Sequence, residues 1–227
     1  MPLPACIAID GPAAVGKSTV GRIVARSLGY HFIDTGEMYR ALTWLALHEG
    51  IAMDDVASLT RLTSEATMDL PSRPEVMRGS VLINGRDVTD AIQSPAVEAS
   101  VSQVSRLPAV REAMVAKQRS MAGQEQVVMA GRDIGTVVLP QAGLKVFLVA
   151  PLNERARRRH GEQQRKGIEA DYEAILADLE RRDRIDTGRP VSPLRLAADA
   201  TVVDTQGLSP EQVAGVIVKL AKEVDCR

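Results

Sequence analysis

Gly11-Pro12-Ala13-Ala14-Val15-Gly16-Lys17-Ser18 fits G-x-x-x-x-G-K-[ST], the pattern of a loop that cradles nucleotide phosphates. Its flanks agree. Ala5–Asp10 is a short apolar run of buried-strand type, and Thr19 to Leu28 has the spacing of an amphipathic helix. Strand, loop and helix in that order aim backbone N–H groups and a helix N-terminus at one point, which suits a polyphosphate. The glycines permit close backbone approach, Lys17 reaches the β and γ phosphates, and the Ser18 hydroxyl is placed for Mg²⁺. The loop and the first helical residue, Thr19, form the expected ATP-binding segment.

Composition narrows the class. The 227 residues suit one domain with excursions, and 45% apolar content allows a sizeable core. Aromatics are only 3%, so stacking platforms are few, and the net charge of −1 argues against a surface made for nucleic acid. The two cysteines, Cys6 and Cys226, suggest neither a disulfide framework nor a metal site, which points to a reducing compartment. His31, His48 and His160 are too dispersed for metal-ligand spacing. No apolar run approaches a membrane span and the N-terminus lacks a charged leader, so a cytoplasmic protein is expected.

Further short apolar runs lie at His31–Asp34, Val127–Ala130, Lys145–Val149 and Thr201–Asp204. Helical patterns separate them, at Gly36–Glu49, Leu152–Lys166, Tyr172–Arg184 and Ser209–Val224. This alternation implies an α/β fold, a parallel sheet with helices on both faces. One segment breaks the rhythm. From Thr67 to Thr89 the pattern is β-like, and Asn84-Gly85 sits between Val81-Leu82-Ile83 and Arg86-Asp87-Val88, a strong hairpin signal. Pro95 and Pro108 then open two helices that end near Ala122, so roughly 35–122 forms an excursion between the second and third core strands.

Arginine is placed tellingly. Asp34-Thr35-Gly36-Glu37-Met38-Tyr39-Arg40 and Gly131-Arg132-Asp133-Ile134-Gly135-Thr136 follow the second and third core strands, at the strand ends where open α/β sheets bind ligands. Arg155, Arg158 and Arg159 open one late helix, and Arg182, Asp183, Asp186 and Arg189 close another. Transfer of a phosphoryl group between polyanions is mostly positioning and charge stabilisation, which guanidinium groups supply bidentately. Asp133 is open to three roles: the Mg²⁺ shell, a hydrogen-bond acceptor for a nucleobase amino group, or a helix N-cap.

Taken together these motifs resemble the bacterial cytidylate kinases, a branch of the phosphate-loop nucleoside monophosphate kinases. Besides the loop, the likeness rests on D-[ST]-G-x-x-Y-R at Asp34–Arg40, S-Q-V at Ser102-Gln103-Val104, V-R-E at Val110-Arg111-Glu112 and G-R-D-x-G-T at Gly131–Thr136. It ends with R-D-x-x-D-x-x-R-x-x-[SA]-P-L from Arg182 to Leu194. The resemblance implies one kinase domain over 1–227. Its core would be 1–34 and 123–227, its monophosphate-binding excursion 35–122 with a small antiparallel hairpin sheet, and its short helical lid about 155–185. It implies phosphoryl transfer from ATP to CMP or dCMP with Mg²⁺, UMP being used less well. Lys17 would hold the ATP phosphates, with Arg155 and Arg159 beside ATP. Thr35, Arg40, Arg132 and Arg189 would hold the acceptor, with Tyr39 packing in its site. Ser102, Arg111 and Asp133 would read the cytosine edge, while Arg182 and Asp186 would face its sugar. Lys17, Arg132, Arg182 and Arg189 form the expected catalytic set, and Ser18 is the expected metal residue. A monomer with no nucleic-acid or membrane partner is expected. Ser18 stands where many relatives carry glycine, and Ile185 where some carry arginine.

Other readings fit less well. A kinase of another small metabolite would share the loop but not the Ser102–Arg111 segment. A GTP-driven switch should carry N-K-x-D, and the nearest string, Asn84-Gly85-Arg86-Asp87, lacks the lysine.

Overall fold

A computed structural model describes residues 4–71, 79–123 and 126–224. Cys226 and part of the β-like segment fall outside the described residues. Five strands form a parallel sheet: β1 (Cys6–Asp10), β2 (His31–Asp34), β6 (Val127–Gly131), β7 (Leu144–Val149) and β8 (Thr201–Asp204), in the order β2-β6-β1-β7-β8. The order reverses on either side of β1, which makes its end a topological switch point. Helices α1 (Lys17–Leu28) and α8 (Pro210–Glu223) cover one face, while α2 (Thr35–His48), α3 (Val56–Glu65) and α5 (Pro108–Ala122) lie toward the other.

Strand alternation decides which side chain goes where. Ile7 and Ile9 point into the α1–α8 layer and Ala8 into the opposite one, and all three are fully buried. In β6, Val128 and Ala130 join the first layer and Val127 and Met129 the second. Strands covered on both faces read as continuous apolar runs, which is why the central strands β1 and β6 were visible in the sequence, whereas β8 at the sheet edge buries only Val203. Each fully buried Ile or Val contributes about 1.5–3 kcal/mol.

The excursion carries its own small sheet. Strands β3 (Met68–Asp69), β4 (Leu82–Ile83) and β5 (Arg86–Asp87) pair antiparallel. Asn84 and Gly85 both adopt left-handed backbone, φ 51° and 73°, as the turn of such a hairpin demands. Helices α4 (Pro95–Ser105) and α5 follow, each with proline in its first turn. Two more, α6 (Leu152–Arg165) and α7 (Tyr172–Gly188), pack on each other as a helical pair.

Some boundaries differ from the expectation. Helix α1 starts at Lys17, two residues before Thr19, and α7 runs to Gly188 instead of ending at Arg184. The added turn of α7 puts Asp186 on a helix. Helix α3 was not expected. Asp55 caps it by accepting from the Ser58 N–H at 3.0 Å, and Leu59 and Leu62 bury its apolar stripe. No helix among the described residues is long and apolar enough to cross a membrane.

Candidate active site

The C-terminal ends of β1, β2 and β6 stop side by side, with Asp10 level with Gly131 and Asp34 level with Ala130. A cleft of about 1300 Å³ opens at these ends. One wall is the phosphate loop. A Cβ on Gly11 would lie 2.5 Å from the Leu148 carbonyl oxygen of β7, so only glycine lets the loop leave the sheet at that point. Gly16 takes φ 100° and hands the chain to α1 in left-handed backbone.

Ala13 to Thr19 line the cleft, and the carbonyls of Gly11 and Pro12 accept from the Lys17 ammonium. Lys17 is buried, and its ammonium donates to the carbonyls of Gly11 at 2.8 Å and Pro12 at 2.6 Å. Burial pushes its pKa well below the lysine range, and the charge of Arg132 pushes it further down. A polyanion seated on the loop supplies the negative charge that this ammonium lacks.

Asp10 was read only as the end of a strand, and the structure gives it a larger part. Its two carboxylate oxygens accept from the backbone N–H groups of Ile134 at 2.8 Å and Gly135 at 2.7 Å. Those N–H groups start a short wide helical turn, Ile134–Val138, in which Val138 and Leu139 bond five residues back. Asp10 thereby fixes the Gly131–Thr136 segment against the loop. Burial raises its pKa to about 6 despite these two bonds.

The opposite wall comes from α2, α4 and α5. Arg111 is 2% exposed and donates to Asp133 at 2.7 Å and to the Ser105 carbonyl at 3.0 Å. Its guanidinium lies 5.4 Å from the centre of the Tyr39 ring. Asp133 is 3.5 Å from Arg189, so one buried carboxylate sits between two arginines. Asp133 makes no cap hydrogen bond with its side chain, which removes the N-cap role from its three readings. Asp186 pairs with Arg132 at 2.7 Å and Arg189 at 3.4 Å. Thr35 lines the cleft but donates its hydroxyl to the Ala130 carbonyl at 2.9 Å. Ser102, Tyr39, Arg40 and Arg182 also line it.

Arg155 and Arg159 lie one turn apart on α6, but their side chains part. Arg159 lines the cleft, whereas Arg155 is buried beneath the loop, donating to the carbonyls of Ala13 (3.0 Å) and Ala150 (3.2 Å) and pairing with Asp183 at 2.6 Å. Arg155 therefore braces the loop from behind. Arg158 also lines the cleft and donates to Thr205, to its hydroxyl at 2.9 Å and its carbonyl at 2.7 Å.

Sequence reasoning missed Glu98 altogether. It lies in the first turn of α4, where an acidic residue reads as an ordinary complement to the helix dipole. In the fold it meets Arg40 and Arg182, each at 2.5 Å, and Arg159 at 3.6 Å. Burial raises its pKa, but Arg40 and then Arg182 and Arg159 lower it by more, to about 2. A carboxyl depressed below its ordinary 4.5 stabilises the fold fully above that pH and stops doing so as pH falls toward 2. Glu98→Gln should therefore melt at a lower temperature than the unaltered chain at pH 7, with the gap narrowing below pH 4.5. Thermal melts across that range check this, and a gap independent of pH would show that the charge contributes nothing.

The family model described as cytidylate kinase matches residues 7–223. The cytidylate kinase of Bacillus licheniformis is 48% identical over 215 residues, covering 95% of both chains. That of Geobacillus thermodenitrificans is 49% identical over 218 residues, covering 96% of both. Among solved structures, an uncharacterized protein from Eubacterium ventriosum matches with a TM-score of 0.53 at 12% identity, over 98% of this chain and 99% of that one, a likeness of fold alone. Sequence identity of this extent, carried on a phosphate loop that faces a cleft of buried arginines, places the chain in the cytidylate kinase family, as a phosphotransferase.

Proposed function

We propose that the chain transfers the γ-phosphate of ATP to CMP or dCMP, giving CDP or dCDP and ADP, and uses UMP less well. The observation that carries this reading is the buried Asp133, held by Arg111 at 2.7 Å on the wall facing the phosphate loop. A carboxylate there accepts from the exocyclic amino group of cytosine and repels the carbonyl of uracil. Lys17 and the loop N–H groups hold the donor phosphates, with Arg159 beside them. Arg40, Arg132 and Arg189 hold the acceptor phosphate, Arg182 and Asp186 face the sugar, and Ser102 and Arg111 join Asp133 at the base. Catalysis is then positioning and charge stabilisation.

Mg²⁺ fits the donor set. Among the described residues no cluster of three or more acidic, histidine or cysteine side chains could hold a metal, and the loop offers one hard oxygen, Ser18. Mg²⁺ keeps several waters and is carried largely by substrate phosphates, so a single hydroxyl suffices. A Mg²⁺ held there by Ser18 and the substrate phosphates would neutralise charge on the transferring phosphoryl group.

The free thiol of Cys6 suits a reducing cytoplasm. The core, the excursion 35–122 and the lid of about 155–185 act as three parts, the latter two closing over bound substrate to exclude water. Hydrogen exchange should show stronger protection of the excursion at saturating CMP. Unchanged protection throughout would contradict closure.

The reaction itself is tested by coupled ADP release with ATP, Mg²⁺ and a panel of monophosphates. CMP and dCMP should far exceed AMP, GMP and dTMP, with UMP between. Equal or faster turnover of a purine monophosphate would overturn the reading.

A further inference from the structure

Three arginines from three helices converge on one carboxylate. Arg40 comes from α2, Arg159 from α6 and Arg182 from α7, and Glu98 of α4 meets them at 2.5, 3.6 and 2.5 Å. All four line the cleft, and the Glu98 side chain is 28% exposed. Arg182 and Arg159 keep second partners in Asp178 at 2.8 Å and Glu162 at 3.2 Å. Those two acids sit on the same helices as their arginines, at (i, i+4) and (i, i+3). Glu98 alone reaches across from the excursion, and it draws the lid arginines toward Arg40.

A carboxylate and a phosphate present the same edge of anionic oxygens to a guanidinium fork. The seat that Glu98 occupies, between three guanidiniums, thus has the charge and the donors that a phosphate requires. We propose that Glu98 takes the seat of a nucleotide phosphate and acts as an internal competitor that must leave when nucleotide binds. It keeps three like charges from repelling one another until the substrate arrives, and it lowers the affinity for substrate in return. The identity of the nucleotide rests on the function proposed above, while the competition does not. Glu98 is a positioning residue on this view, acting through Arg40, Arg159 and Arg182.

Calorimetric titration of Glu98→Gln and Glu98→Ala tests this, with CMP, cytidine, ATP and inorganic phosphate as probes and the unaltered chain as reference. Three partly exposed pairs of ordinary strength predict about a five- to tenfold gain in affinity for inorganic phosphate and CMP. Cytidine, which lacks the phosphate, should bind as before, so the ratio of CMP to cytidine affinity rises by the same factor. A gain confined to ATP and inorganic phosphate assigns the seat to the donor and equally supports the competition. No gain for CMP, ATP or inorganic phosphate in a folded variant overturns the proposal, as does a gain shared equally by cytidine. The alanine variant decides the matter if the glutamine variant does not fold. Failure of the unaltered chain to bind CMP would count against the proposed function instead, and the inorganic phosphate titration would still decide the competition.

Discussion

Lys17→Ala should lower kcat by roughly 10²-fold or more while leaving the fold intact, as loss of a preorganised charge at a reacting centre does. The ammonium is buried, bonded to two loop carbonyls, and held below its ordinary pKa by burial. It is the one cation inside the loop itself. On the proposed function it would exchange two neutral carbonyls for phosphate oxygens on ATP binding, so that its interaction would strengthen as charge builds in transfer. The fold should tolerate the change, because β1 and α1 are anchored by Ile7, Ile9, Val20 and Val24, all buried apart from the lysine. Steady-state kinetics and a thermal melt check both halves. A Lys17→Ala enzyme of near-normal kcat would show that the donor phosphates bind elsewhere.

Asp133→Asn should collapse the CMP-to-UMP ratio of kcat/KM by more than tenfold, on the order of 1–3 kcal/mol. Asp133 and Arg111 are both buried, with Oδ2 on Arg111 and Oδ1 toward Arg189. An asparagine keeps its oxygen on Arg111 and turns its amide toward the Arg189 side of the cleft, where it donates to the uracil O4 carbonyl. A site built to pair one polar group rejects the analogue that leaves it unpaired, and the substitution reverses which base is the analogue. Loss of the negative charge also leaves Arg111 under-compensated, so thermal stability should fall as well. Equal loss for CMP and UMP would assign Asp133 to folding or metal binding and pass base reading to Ser102 and Arg111.

What was legible in the sequence follows from the range over which each signal acts. The central strands announce themselves because strands buried on both faces need unbroken aliphatic runs, as in Ile7-Ala8-Ile9 and Val127-Val128-Met129. The hairpin was readable from two residues, since Asn84 and Gly85 carry the left-handed backbone themselves. The phosphate loop was readable because its chemistry is local, contained within Gly11 to Ser18. Groups that act across the fold were not. Glu98 and Arg40 are distant in sequence and meet only because α4 packs on α2. Arg155 and Arg159 have one-face spacing, yet the first is captured by Ala13 and Asp183 under the loop while the second stays in the cleft. Asp10 ends an apolar strand without signal, because its partners are two backbone N–H groups that no sequence pattern marks.

The central claim is that phosphate passes from ATP to a cytosine nucleotide, and following the label tests it most directly. The chain is incubated with Mg²⁺ and ATP carrying a radioactive γ-phosphate, with CMP or UMP as acceptor or with none, and the products are separated. The account predicts that with CMP nearly all the transferred label appears in CDP, with UMP less appears in UDP, and without acceptor little is released as inorganic phosphate. Label released as inorganic phosphate at the same rate with and without CMP, and none in CDP, would contradict it.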